Sequence, residues 1–177
     1  KIVDGKNSIA QNAYYHLAES YVKQGQKQQA LNAFKNASEM SFSSEIQEDA
    51  WLNYAKLSYD IGNSYVSVPQ VLLTFIEKYP ENKNNEALRD LLIDSYITSK
   101  NYGEAMDLLE NNKSFENKLA YQKVAFYRGI EVYNAGDYQA AILLFDKSLK
   151  EPRDASFTAR ATYWKAESDR YLHLNCY

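Results

Sequence analysis

The chain of 177 residues holds one cysteine, Cys176, three prolines and six glycines. One thiol cannot close an internal disulfide. So few prolines and glycines leave too few turn formers for a strand-rich fold. No apolar run reaches the roughly 18 residues that a membrane-spanning helix needs. Lys and Arg number 20 against 23 Asp and Glu, a net charge of -3. A nucleic-acid surface needs clustered cations, so none is expected. Phosphate loops of the GxxxxGK[ST] or GxGxxG type are missing, and so is HExxH. His16 and His173 stand at opposite ends of the chain without ligand spacing, which argues against zinc. Cys176 has only His173 near it and reads as an ordinary thiol. Glu48 and Asp49 are adjacent, and Glu167 and Asp169 nearly so; on a helix such neighbours do not face each other and belong to solvated faces. No catalytic residue, metal ligand or small-molecule cofactor is therefore expected, and the chain is read as a non-enzyme.

What is present is apolar content of 45% and an abundance of tyrosine, 16 residues. The apolar residues recur with a long period. Tyr14, Leu17, Ala18 and Tyr21 have the i, i+3, i+4, i+7 spacing of an amphipathic helix, which Gly25 ends. Ala30, Phe34 and Ala37 form a second stripe. The same helix–turn–helix unit returns with Trp51, Tyr54, Ala55 and Ser58 before Gly62, then Leu72, Phe75, Ile76 and Tyr79 before Pro80. Pro69 suits a first helical turn, where a missing N–H costs nothing. A third unit runs through Arg89, Leu92, Ile93 and Tyr96 to Tyr102, Ala105 and Leu109. A fourth runs through Ala125, Gly129 and Val132 to Tyr138, Ala141, Phe145 and Ser148. Tyr163, Trp164 and Ala166 open a fifth. One position of each first helix is occupied by Ala18, Ala55, Ile93, Gly129 and Ala166, at steps of 37, 38, 36 and 37 residues. The spacing predicts helices over 8–23, 27–40, 44–61, 69–79, 84–99, 102–111, 117–135, 138–150 and 154–173.

These residues resemble the tetratricopeptide repeat. In the first unit its small, aromatic and Ala positions fall on Ala18, Tyr21, Ala30, Phe34 and Ala37, and in the fourth on Gly129, Val132, Ala141, Phe145 and Ser148. The second unit departs from the pattern, with about four extra residues around 63–68 and Ser58 where Tyr is usual. The resemblance implies an all-α fold, a right-handed α-α superhelix of about four and a half repeats. The repeats lie near 11–44, 48–81, 86–116 and 122–153, with a fifth first helix from 154, in one solenoid over 1–177. Because the chain opens on Lys1 and stops inside a repeat, it reads as a piece of a longer protein whose next helix covers the last one.

The resemblance also implies a concave groove lined by the first helices, where a protein or peptide partner binds. Its candidate residues are Tyr15, Glu19 and Lys23; Leu52, Lys56 and Tyr59; Asp90 and Asp94; Phe126, Ile130 and Tyr133; and Tyr163, Glu167 and Arg170. Val22, Asp60, Ile97, Thr98, Lys123, Asn134 and Arg160 fall on the same positions. The chaperone-binding members of the family hold a C-terminal carboxylate with Lys and Asn, where this chain has Tyr15 and Glu19, so that mode is not expected. The runs "FIEKYPENKNNEA" at 75–87 and "TYWKAESDRYL" at 162–172 resemble repeats of Gram-negative envelope assembly lipoproteins and Tol–Pal coordinators. They favour the periplasm or the outer membrane over the cytoplasm. Two other readings are a recruiting segment of a larger enzyme and a glycan- or peptidoglycan-binding module that uses exposed tyrosines.

Overall fold

The computed structural model describes residues 7–111, 117–150 and 152–174, so Cys176 and Tyr177 lie outside the described residues. Nine helices and no strand occur among them: α1 (Ser8–Lys23), α2 (Lys27–Ser38), α3 (Ser44–Ile61), α4 (Val68–Lys78), α5 (Asn85–Thr98), α6 (Tyr102–Asn111), α7 (Lys118–Asn134), α8 (Tyr138–Lys150) and α9 (Ala155–Leu174). Each observed boundary falls within two residues of the predicted one.

Local chemistry explains where the helices start. The first backbone N–H groups of a helix have no partner within it and take one from a preceding side chain. Asn7 Oδ1 accepts from Ala10 N at 2.8 Å, Asn117 Oδ1 from Ala120 N at 3.0 Å, and Asp137 Oδ1 from Ala140 N at 3.0 Å. Pro69 sits in the first turn of α4. Where the hairpins turn, the backbone passes through the left-handed region at Gly25 (φ 72°), Gly62 (φ 79°) and Gly136 (φ 85°). The third hairpin does the same with a side chain attached, at Lys100 (φ 60°). All four lie seven residues after the repeat positions Ala18, Ala55, Ile93 and Gly129, so the third unit keeps register despite its large side chain.

The chain folds as two compact units, Lys1–Ser95 and Tyr96–Tyr177. In the first, α1 packs on α2, α2 on α3 and α3 on α4, while α1 also touches α3. Ala18, Ala30, Ala37, Ala50 and Ala55 are wholly buried, as are Leu72, Phe75 and Leu88. In the second, α6 packs on α7, α7 on α8 and α8 on α9, and α7 also touches α9. Its core joins Phe126, Ala141, Phe145, Phe157 and Ala161, with Tyr133 and Trp164 against the edge. The close crossing is direct at Gly129, where an added Cβ would lie 2.6 Å from Phe145 Cε1. Ala166, the small residue of α9, is exposed. That position faces the second helix of its own hairpin, and among the described residues no helix follows α9.

The extra residues of the second unit form the turn after α3. Asn63 organises them: its Nδ2 donates to Tyr54 Oη at 2.7 Å and Ser58 Oγ at 2.9 Å, and its Oδ1 accepts from Tyr65 N at 2.9 Å. Ser58, where a Tyr is usual, leaves room for this amide and is itself fully buried.

Polar side chains at two further repeat positions tie the loops down, and periodicity of apolar residues did not reveal them. Seven residues before Ala18, Ala55 and Gly129 stand Gln11, Glu48 and Gln122. Gln11 Nε2 donates to Met40 O at 2.7 Å, and its Oε1 accepts from Ser43 N at 2.8 Å. Glu48 accepts from Asn82 Nδ2 at 2.7 Å. Gln122 Oε1 accepts from Arg153 N at 2.9 Å and Asp154 N at 2.8 Å, while its Nε2 donates to Thr158 Oγ1 at 3.0 Å. Each reaches the loop leading into the following hairpin. One residue earlier, Gln47 donates to Ser38 O at 3.1 Å, Asn85 to Tyr79 O at 2.7 Å, and Tyr121 to Glu110 Oε1 at 2.8 Å, all reaching back to the preceding second helix or the loop after it. Gln11 and Gln122 are buried, where an unmet amide would be costly.

Candidate functional site

Successive first helices lie side by side within each unit. Tyr15 Oη on α1 donates to Asp49 Oδ2 on α3 at 2.5 Å, and Tyr59 Oη on α3 donates to Asp94 Oδ2 on α5 at 2.5 Å. In the second unit aromatic rings make the join: Phe126 meets Phe157 at 5.4 Å between centroids, and Tyr133 meets Trp164 at 5.0 Å, both edge to face. The outer surface of these helices carries most of the residues predicted to bind a partner.

On the first unit that surface is mostly self-satisfied. Asp49, which the sequence suggested only as a solvated acid, accepts from both Tyr15 and Asn53, the latter at 2.9 Å. Burial, followed by the bond to Asp49, pushes the Tyr15 phenol up. For Tyr59 the bond to Asp94 comes first and burial second, again upward. Glu19 lies 2.8 Å from His16 Nδ1, and Lys56 Nζ reaches Asn84 Oδ1 at 3.4 Å. Lys27 pairs with Asp60 at 2.5 Å. Lys23, Asp90 and Asp94 are at the surface. Leu52 is 8% exposed and serves packing, leaving almost no surface for a ligand.

On the second unit Phe126 is wholly buried, another packing residue on a predicted binding position. Ile130 and Tyr133 are partly buried against the core, and Tyr133 also meets Tyr138 at 5.3 Å. Tyr163 is 58% exposed. Glu167 accepts from Arg170 Nη2 at 2.6 Å. Two cations flank the buried rings. The Arg160 guanidinium carbon lies 4.5 Å from the Phe126 centroid and 5.3 Å from that of Phe157, and Lys123 Nζ lies 5.9 Å from the same Phe157 ring. Cations over ring faces are attracted by the quadrupole and held in place. A helix-spacing rule finds these positions, but the pairing across helices is a tertiary fact.

Among the described residues no group of three or more His, Cys, Asp and Glu is placed to hold a metal ion, and no helix is long and apolar enough to cross a membrane. No protein-family model and no curated protein matches the chain. Solved structures do. MamA AMB-1 is similar over 94% of this chain and 87% of its own, with 18% identity and a TM-score of 0.51. MamA MSR-1 covers 94% and 91%, with 18% identity and a TM-score of 0.46. MamA is a helical protein of the tetratricopeptide-like type, and the likeness to MamA AMB-1 is one of fold. The chain therefore has the all-α solenoid type of fold built from helical hairpins.

Proposed function

We propose that this chain is a non-catalytic scaffold that binds a protein or peptide partner on the surface of its first helices, as part of a bacterial envelope protein. The observation that supports this is the exposed mixture of aromatic and charged side chains on that surface, with Tyr163 58% exposed on the same helix as Arg160 and Arg170. The helices bearing them are held by buried small residues and by side-chain clamps to the loops, so the surface is organised before a partner arrives. Preorganised aromatic anchors with a polar rim are the usual basis of protein recognition. Helical grooves of this kind take extended or helical peptides. The envelope setting rests on the sequence runs at 75–87 and 162–172.

The test is capture of partners from a native bacterial envelope extract by the full chain, with Tyr59→Ala and Tyr163→Ala variants in parallel. The same proteins should be captured by the parent chain and lost from the variants, while helical circular dichroism is retained. Capture unchanged by either substitution would place recognition on another surface. Absence of any captured protein would remove the scaffold reading.

A further inference from the structure

On α7 and α9 two positive groups share one aromatic ring, with Lys123 Nζ at 5.9 Å and the Arg160 guanidinium at 5.3 Å from the Phe157 centroid. Two positive groups at these distances from one centroid are at most about 11 Å apart, so they repel each other, and folding often supplies a carboxylate to such a pair. Elsewhere in this unit it does so: Lys147 pairs with Glu110 at 2.8 Å, Lys165 with Asp146 at 2.6 Å and Arg170 with Glu167 at 2.6 Å. Among the described residues Lys123 and Arg160 have no such partner. Asp154, at the start of α9, is already engaged, its Oδ1 accepting from Ser156 N at 2.8 Å and Phe157 N at 3.3 Å. Arg160 lies over Phe126, fully buried, and both cations lie over Phe157, 9% exposed. That dry floor lowers the local dielectric and strengthens the pull on an anion. Leu119, one turn from Lys123, is 42% exposed, and Tyr163, one turn from Arg160, is 58% exposed, so apolar surface borders the charges.

We propose that the α7–α9 face binds an acidic peptide segment of a partner protein, with Asp or Glu side-chain carboxylates between Lys123 and Arg160 and an apolar residue against Tyr163. The inference rests on the scaffold reading and names the chemistry of its partner. Two cations match one or two carboxylates. A nucleic acid needs a longer basic track, and the next cations on α9 do not extend one, because Lys165 is paired with Asp146 and Arg170 with Glu167. Charge complementarity of this kind sets specificity and association rate.

The test uses the full chain and short fluorescent peptides, acetylated and amidated so that only side chains carry charge. One alternates Glu and Asp with Leu and Phe, a second replaces the acids by Gln and Asn, and a third by Lys. Anisotropy should show the acidic peptide binding at least about tenfold more tightly than the other two, with affinity falling as salt rises. Lys123→Gln with Arg160→Gln should abolish that preference at an unchanged melting temperature, and Lys123→Glu with Arg160→Glu should transfer it to the Lys peptide. Lys150→Gln, on α8, should change nothing. Equal binding of the acidic and neutral peptides, or a preference that survives the double Gln variant, overturns the inference and leaves the scaffold reading standing. So does displacement of the acidic peptide by oligothymidine at lower concentration than by its unlabelled self. If no peptide binds and no partner is captured from the extract, both readings fall.

Discussion

At Lys100 a long side chain occupies a backbone conformation that the other hairpins give to glycine. Gly25, Gly62 and Gly136 turn at positive φ without a Cβ, whereas Lys100 turns at φ 60° with one. A left-handed residue with a Cβ costs about 1–2 kcal/mol, and glycine returns part of that as lost chain entropy in the unfolded state. Lys100→Gly should therefore stabilise the chain by about 0.5–1 kcal/mol, read as a raised urea midpoint at unchanged slope. The substitution bears on the repeat register, because the turn position follows from Ile93, a large residue at a small-residue site. The positive φ at Lys100, seven residues on, puts the third turn where the other units have theirs. The sequence was less informative at Leu52 and Phe126, read as binding residues and found in the packing. A helix-face rule assigns direction by spacing alone. It does not know how closely the adjacent first helix approaches.

Between elements, the order of the chain depends on polar side chains more than its apolar rhythm implies. Gln122 alone accepts two loop N–H groups, from Arg153 and Asp154. Gln122→Leu removes the acceptor of both at a half-buried junction, and an unmet buried group costs about 1–3 kcal/mol. Its expected cost is about 1–3 kcal/mol by urea denaturation, with Gln122→Glu less damaging because a carboxylate still accepts both bonds. A second junction is pH-sensitive. Lys147 and, after it, Tyr121 bond to Glu110 and hold its carboxyl below the usual carboxylate range. A depressed folded-state value means that this stability is present above about pH 4.3, where an unfolded Glu ionises, and is lost as pH falls through the folded value. Tyr121 behaves in the opposite sense. Burial, then its bond to Glu110, pushes its phenol up to about 12, so its contribution is complete below about pH 10 and fades as pH rises toward that value. Ultraviolet titration of Glu110→Gln should bring Tyr121 part of the way back toward about 10, burial retaining the remainder. A tyrosine titration identical in parent and variant would show that the two side chains do not meet. None of these clamps was read from the sequence, although Gln11, Glu48 and Gln122 stand in register there. Amide and carboxylate side chains have many harmless surface uses, so their recurrence has no meaning until the loop they bind is known.

Over the whole molecule, a chain of hairpins that touch mainly their neighbours should transmit damage only a short way. Gly129→Leu drives a side chain into Phe145, whose Cε1 would already lie 2.6 Å from a Cβ there. Overpacking of this kind costs about 1–3 kcal/mol. Hydrogen exchange of the variant should quicken in α7, α8 and α9 and stay at parent rates in α1 and α2; uniform acceleration would mean that the chain unfolds as a single cooperative body. The nine helices of the described residues, their turns and the repeat spacing were all present in the sequence, because they follow from local properties: helical spacing of apolar residues, glycine at left-handed turns, and small side chains where helices cross. What the sequence left open is the pairing of side chains across helices, such as Tyr15 with Asp49 and Lys123 with Arg160 over one ring. Those pairs join residues 34 and 37 positions apart, at distances that depend on how two helices lean on each other. Tertiary packing alone sets that lean, and with it which charges are neutralised inside the molecule and which are not.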